Sequence, residues 1–176
     1  IMSASRALES PLRVGYLGPE ATFTHEASRR HFGRSVEFLP QGSIADVFRD
    51  VERGIVNYGV VPIENSTEGV VNHTLDMFMN SELAICAEIL LPIHHNLLGS
   101  QDLGSVHRIL SHPQALAQCR QWLQNHLPRA ELVEVTSTAR AAQMAKEDDR
   151  AAAVASELAA ELYGLKLLAP TIEDVR

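Results

Sequence analysis

The segment Ser111-His112-Pro113-Gln114-Ala115-Leu116 follows an apolar strand pattern ending at Leu110 and crowds hydrogen-bonding side chains around a helix start. Ser111 or His112 occupies the N-cap region and Pro113 the first helical position. Several backbone amides there point out of the helix with no acceptor inside it, which suits a negatively charged ligand. Capping alone explains Ser111 and Pro113. It leaves unexplained why His112 and Gln114 share the same mouth. Gln118, one turn further along, either lines that face or sits at the surface.

Three more strand-to-helix junctions carry donors. Pro62-Ile63-Glu64-Asn65-Ser66-Thr67-Glu68-Gly69 places five polar residues in a row, where a cap would need two. Asn65, Ser66 and Thr67 can donate to carboxylate oxygens; the bland reading is an Asx-type turn with a solvated acidic face. Thr136-Ser137-Thr138-Ala139-Arg140-Ala141-Ala142 offers Ser137 as an N-cap, Thr138 beside it, and small residues that permit close approach of a ligand or another chain. Gly18-Pro19-Glu20-Ala21-Thr22-Phe23 offers Thr22 near free amides, although helix-start grammar accounts for it without a ligand. Taken together, the four mouths suit a small anion. Each helix N-terminus contributes ~0.3–1 kcal/mol toward one at an exposed site and up to ~2 when partly buried.

Other constellations carry less. His94-His95 has neither the spacing nor the carboxylate company of a metal site and is expected at a hinge. His25, His31, His73, His107 and His126 are scattered, with surface or capping roles as the default. There is no G-x-S-x-G elbow, P-loop or G-x-G-x-x-G, so no metal, nucleotide, cofactor or covalent nucleophile is indicated.

These groups must be positioned by elements that the pattern also suggests. Strands are expected at Leu12–Leu17, Val36–Leu39, Tyr58–Ile63, Val106–Leu110, Glu131–Val135, Ala151–Ala155 and Lys166–Ala169, and Glu82–Pro92 reads as a long apolar run with β-branched residues. Helices are expected at Glu20–Phe32, Ser43–Arg53, Pro113–His126, Thr138–Lys146 and Ser156–Tyr163. Alternation of strand and helix implies βαβ units and an α/β fold with mostly parallel sheets. The two sets, before and after about Leu90–Leu98, imply two lobes and a hinge. The expected division is a linker at 1–11, lobe one at 12–91 plus 170–176, and lobe two at 92–169, with ligand bound between them at strand carboxyl ends.

The chain has 176 residues, 45% of them apolar, enough for a real core. Its formal charge is 15 − 22 = −7. An acidic chain with few aromatics and no basic cluster is a poor match for nucleic acid or an anionic membrane. No apolar run approaches the ~20 residues that cross a bilayer. Cys86 and Cys119, in strand-like and helical patterns, read as small buried apolar residues in a reducing cytoplasm.

In order and spacing, these junctions resemble the prephenate dehydratase family. The segments that carry the likeness are VGYLGPEATFTHEAS, VPIENSTEGVVNHTLDMF, LPIHHNLL, SHPQALAQCRQWL, STARAAQMA and AAVASELAAELYGLKLLAPTIED, nearly the whole chain from Leu12. The opening residues also resemble the link after the chorismate mutase helices of the two-activity enzyme. The likeness implies a two-lobed fold like the type II periplasmic binding proteins, dimeric, converting prephenate to phenylpyruvate, water and carbon dioxide without cofactor. By motif position it implies Glu64, Asn65 and Gln118 as catalytic. Thr22, Ser66, His112, Gln114, Ser137 and Thr138 would bind the substrate.

Two departures follow from the same likeness. The family's Thr-Arg-Phe segment and its phenylalanine-binding regulatory domain both come after the last residue here, so this stretch alone is expected to turn over poorly; a normal turnover number would contradict that. Glu20-Ala21-Thr22 also stands where Glu-Gly-Thr is commoner. The rival reading is a non-catalytic module of the same fold that binds small carboxylates, since fold does not fix function. Glu64 weighs against it, because a pure binder has no evident need for an acid beside a dicarboxylate. A lyase acting on arogenate is a further alternative.

Overall fold

Strand β1 (Arg13–Leu17) lies at the centre of the first sheet because Val14 and Tyr16 are both wholly buried. The computed structural model describes residues 11–66 and 69–175; the linker expected at 1–11 falls almost entirely outside them. β2 (Glu37–Gln41) and β3 (Tyr58–Val60) flank β1, and both pair with it in parallel. Parallel neighbours need crossovers, supplied by α1 (Phe23–Phe32) and α2 (Ile44–Glu52). Ser43 starts α2: its hydroxyl accepts from the Asp46 amide at 3.1 Å and donates to the Asp46 carboxylate at 2.8 Å. Gly59 lets α2 lie close on β3, since a Cβ there would stand 2.7 Å from Val47 Cγ1. His25, expected at the surface, is instead buried and stacked on Tyr16 with ring centroids 4.5 Å apart.

The chain divides into two compact units. One holds the residues up to Pro19 with Thr24–Leu90; the other holds Glu20–Phe23 with the residues from Leu91 onward.

Two first-unit expectations are corrected. The strand expected over Tyr58–Ile63 ends at Val60, and the ENS segment lies on a short hairpin, β4 (Glu64–Asn65) against β5 (Gly69–Val70). Pro62 brings no N–H to extend β3, and Gly69 takes φ +82°, which favours glycine. Helix α3 (Asn72–Met79) starts only afterwards. Thr67 and Glu68 lie outside the described residues. The run Glu82–Pro92 forms no strand, and Cys86, expected to be buried, is exposed together with Ile85 and Leu90. Its alternation suits a sheet, but a strand needs a partner for its N–H and C=O groups, and none is paired with it among the described residues.

The second unit is a five-stranded sheet in the order β10-β6-β9-β7-β8. β7 (Arg108–Ser111), β8 (Glu131–Glu134) and β9 (Ala151–Ala155) run parallel. β6 (Asn96–Gly99) and β10 (Lys166–Ala169) add an antiparallel edge. β9 is buried on both faces, and its residues alternate between two cores. Ala151, Ala153 and Ala155 face α6 (Thr138–Lys146) and α7 (Glu157–Tyr163), whereas Ala152 and Val154 face α4 (Pro113–Gln118) and α5 (Arg120–His126). The alanines of α6 at 139, 141, 142 and 145 all belong to that core. Their small size serves helix-to-sheet packing rather than the ligand approach suggested by the sequence.

The helix expected over Pro113–His126 is interrupted at Cys119, φ −109°, ψ 10°. The second segment has its own cap: the Asp174 carboxylate accepts from the amides of Gln121 at 2.9 Å and Trp122 at 3.0 Å. Thr171 N–H donates to Asn96 Oδ1 at 3.0 Å, Ile172 N–H to the His95 carbonyl at 2.7 Å, and Asp174 N–H to the Gln118 carbonyl at 2.7 Å. Residues 171–175 therefore belong to the second unit, in place of the return to lobe one expected for 170–176.

Candidate active site

The parallel strands of the second unit end at Ser111, Glu134 and Ala155, and α4, α6 and α7 each begin within a few residues of those ends. In open α/β sheets this edge is where ligands are held. His112 caps α4 with Nδ1 accepting from the Gln114 amide at 3.3 Å. Ser137 caps α6 through the Arg140 amide at 3.0 Å. Ser156 caps α7 through the Ala159 amide at 3.2 Å and donates to the Ala21 carbonyl at 3.4 Å, which brings the turn with Thr22 to the same edge. Ser111 is spent on structure, its hydroxyl donating to the Val154 carbonyl at 2.6 Å. Thr22, His112, Gln114, Ser137 and Thr138 thus gather at one edge of one sheet.

Ala21 has φ +66° and no exposed surface. A single methyl is accommodated there. A β-branched side chain adds clashes in the left-handed region to overpacking of a full core, about 3 kcal/mol together. Ala21→Val is therefore expected to lower the denaturant midpoint sharply with an unchanged slope.

Sequence reasoning missed a cluster around His95. Its Nε2 lies 2.6 Å from Gln118 Oε1, and its backbone N–H donates to Glu173 Oε2 at 3.0 Å. The other Glu173 oxygen meets His94 Nδ1 at 2.9 Å. The Phe23 ring stands edge-on to the imidazole at 5.8 Å between centroids. Burial is the main influence that pulls the His95 pKa below its ordinary value; the charge of His94 adds to it, while the Gln118 hydrogen bond and the Glu173 charge oppose it. For Glu173 burial alone would raise the pKa, but hydrogen bonds from His94 and the His95 amide outweigh it and hold the carboxyl below its usual range. The signal was present in LPIHHNLL, where His-His-Asn interrupts an apolar run. Polar groups in such a run need partners.

Two side-chain atoms in this neighbourhood, His95 Nδ1 and Gln114 Nε2, are buried without a hydrogen-bond partner among the described residues. Gln114 and Gln118 stand at i and i+4 of α4 and so share one face. Cys119, just beyond them, has its thiol pushed up to about 12 by burial and by the charges of Glu173 and Asp174. Alkylation of the folded chain is expected to mark Cys86 and spare Cys119 until denaturant is added, as read by mass spectrometry.

In the first unit, Glu64 and Ser66 are exposed and Asn65 is half-buried on the hairpin, with Glu64 opposite Val70 and Asn65 opposite Gly69. The hairpin, rather than a helix mouth, positions these three.

Comparison with known proteins gives this arrangement a context. The family model described as prephenate dehydratase matches residues 14–176. A bifunctional chorismate mutase/prephenate dehydratase from Stutzerimonas stutzeri is 53% identical over 99% of this chain and 48% of its own length. The chain thus spans about half the length of such curated relatives. Among solved structures, a prephenate dehydratase from Arthrobacter aurescens in complex with L-Phe superposes with a TM-score of 0.83 at 36% identity, over 93% of this chain and 56% of that one. The structure described as GqqA, a quorum-quenching acylase, superposes with a TM-score of 0.85 at 30% identity, over 93% and 60%. With a matching family model over all but its first residues, the chain belongs to the prephenate dehydratase family.

Proposed function

We propose that the protein containing this chain converts prephenate to phenylpyruvate, water and carbon dioxide, the hydro-lyase step of phenylalanine biosynthesis, and that this chain supplies its catalytic domain. The observation that carries the reading is the family match over residues 14–176 on a sheet edge lined with donors. Prephenate bears two carboxylates. The ring carboxylate leaves as carbon dioxide, its C–C bonding pair enters the ring, and the ring hydroxyl departs with one added proton as water. The gain of aromaticity drives both cleavages. The protein needs to orient the ring, hold the pyruvyl carboxylate and assist the departing oxygen, and positioned proton transfer is typically worth ~10²–10⁴-fold.

In the second unit, Thr22, His112, Gln114, Ser137 and Thr138 are assigned to substrate carboxylates, and Gln118 to the reacting groups. In the first unit, Ser66 is assigned to substrate, and Glu64 and Asn65 to the reaction. Glu64 favours catalysis over passive capture, because a carboxylate beside a dianion weakens binding. The two free cysteines support a reducing cytoplasmic setting. The family likeness supports a homodimer, with a chorismate mutase domain and a phenylalanine-binding domain in the same polypeptide.

The test is phenylpyruvate formation by the full-length protein, with prephenate and arogenate offered in parallel. Saturable turnover of prephenate supports the reading. Turnover of arogenate alone would transfer it to the amino-acid analogue, and binding without turnover of either would leave a carboxylate-binding module.

A further inference from the structure

We infer that His95 Nδ1 is a substrate contact that accepts the O–H of the ring hydroxyl, the group that leaves, which makes His95 a specificity-determining residue of the site. The inference deepens the prephenate reading and rests on it for the identity of the ligand. His95 stands directly before β6, whose first residue, Asn96, pairs with Ala155 at the carboxyl end of β9. The imidazole thus lies at the sheet edge where Gln114 stands in the first turn of α4. The residue is 4% exposed and burial disfavours its charged form, so the ring is neutral, with one N–H and one lone pair. Nε2 lies 2.6 Å from Gln118 Oε1, an atom that only accepts, so Nε2 carries the hydrogen. Nδ1 is left as a bare acceptor, buried and without a partner among the described residues. A buried polar atom of this kind calls for a partner from outside the chain.

The polarity of the atom identifies that partner. The residues assigned to the carboxylates offer donors, and Gln114 Nε2, the other buried and unpartnered atom of this edge, can only donate. Nδ1 needs a donor instead. Prephenate has two ionised carboxylates and a keto oxygen, all of which only accept, and a single group that donates, the ring hydroxyl. One bare acceptor among donors therefore matches the molecule in one orientation, with the leaving oxygen toward His95. Giving its hydrogen to Nδ1 leaves the lone pairs of that oxygen open to the added proton with which it departs. The acceptor is in place before a ligand arrives, because the Glu173 carboxylate takes the His95 N–H at 3.0 Å and the Ile172 amide donates to its carbonyl at 2.7 Å. The half-buried Phe23 ring stands edge-on to the imidazole at 5.8 Å between centroids and is the side chain that turns aside as the hydroxyl enters.

The test uses the full-length protein and two ring-saturated analogues of prephenate, which cannot become aromatic: one keeps the ring hydroxyl and the other has hydrogen in its place. By calorimetry the parent is expected to bind the hydroxylated analogue about tenfold more tightly, the worth of one hydrogen bond to a buried acceptor. His95→Gln keeps an amide donor where Nε2 stood but has no acceptor at the Nδ1 position, and should bind the two alike. His95→Asn puts an amide oxygen close to the Nδ1 position and should keep most of the preference. A merely structural role for His95 would lower both affinities together and leave their ratio unchanged. Nitrogen NMR of the histidines adds an independent reading: His95 is expected in the Nε2–H form, and its Nδ1 signal should move upfield with the hydroxylated analogue and stay in place with the other. An Nδ1–H form overturns the inference, as does equal affinity in the parent, where water would serve Nδ1, or a preference that survives in His95→Gln. A hydroxyl-free amino-acid counterpart that binds as tightly as the hydroxylated analogue would give the contact to an ammonium and overturn it too. Each of these leaves the prephenate reading standing. A full-length protein that binds neither analogue and forms no phenylpyruvate would remove that reading and the inference with it.

Discussion

Gln118→Ala is expected to lower kcat for phenylpyruvate formation by roughly 10²–10³-fold with a much smaller change in KM, the loss seen when one preorganised donor to a developing negative charge is removed. The size follows from how tightly the structure holds this side chain. His95 fixes its oxygen at 2.6 Å, α4 fixes its backbone, and the Asp174 amide caps its carbonyl at 2.7 Å. A donor held in place before substrate arrives pays no reorganisation cost during the reaction. Gln118→Glu is a sharper probe: it keeps the size but puts an acceptor beside an anion, and should be at least as damaging as alanine. A kcat within threefold of the parent in both variants would remove Gln118 from the reacting groups.

Replacing Glu173 by alanine is expected to destabilise the chain by about 2–3 kcal/mol, the cost of leaving a buried N–H unpaired together with the loss of a charged acceptor. The side chain of Glu173 is 6% exposed, and its carboxylate takes the His95 N–H and meets His94. Glu173→Gln preserves an acceptor and should recover about half. The pH dependence has a definite sign. The folded pKa of Glu173 is below its ordinary value. Its contribution is therefore complete above the unfolded value of about 4.3 and is lost as pH falls through the lower folded value. His95 adds in the same direction, since its depressed folded pKa makes unfolding take up a proton below about 6.5. The acid limb of the stability curve should therefore flatten in Glu173→Gln below about pH 4.3, and in His95→Gln as the pH falls below about 6.5. Equal acid limbs in all three proteins would show that the cluster does not titrate on unfolding.

How much of this was legible in the chain differs from one element to the next. Thr138–Lys146, Ala151–Ala155 and Lys166–Ala169 are found at the expected residues. Each combines a clear hydrophobic period with an unambiguous flank, Ser137 as cap before the first and turn residues around the others. Pro113–His126 reads as one helix because its apolar period runs through Cys119. The interruption there depends on Asp174, more than fifty residues away, and no local pattern contains it. Glu82–Pro92 has the composition of a strand and forms none, because composition cannot supply a neighbouring strand. The caps at His112 and Ser137 were readable from residue type, as short-range devices are. The His95–Gln118–Glu173 cluster was not: its members come from three separate segments, and its sign in the sequence was only that polar residues interrupted apolar ones.

The most direct test of the proposed ligand site uses glutamine side chains as reporters. With nitrogen-labelled glutamine, the chain gives side-chain NH2 signals from Gln41, Gln101, Gln114, Gln118, Gln121, Gln124 and Gln143. Addition of prephenate or phenylpyruvate is expected to shift the Gln114 and Gln118 signals in a saturable manner and to leave Gln101 and Gln124 in place. Saturable binding in which Gln114 and Gln118 stay still while the others move would contradict the assignment of this edge of the sheet to the substrate.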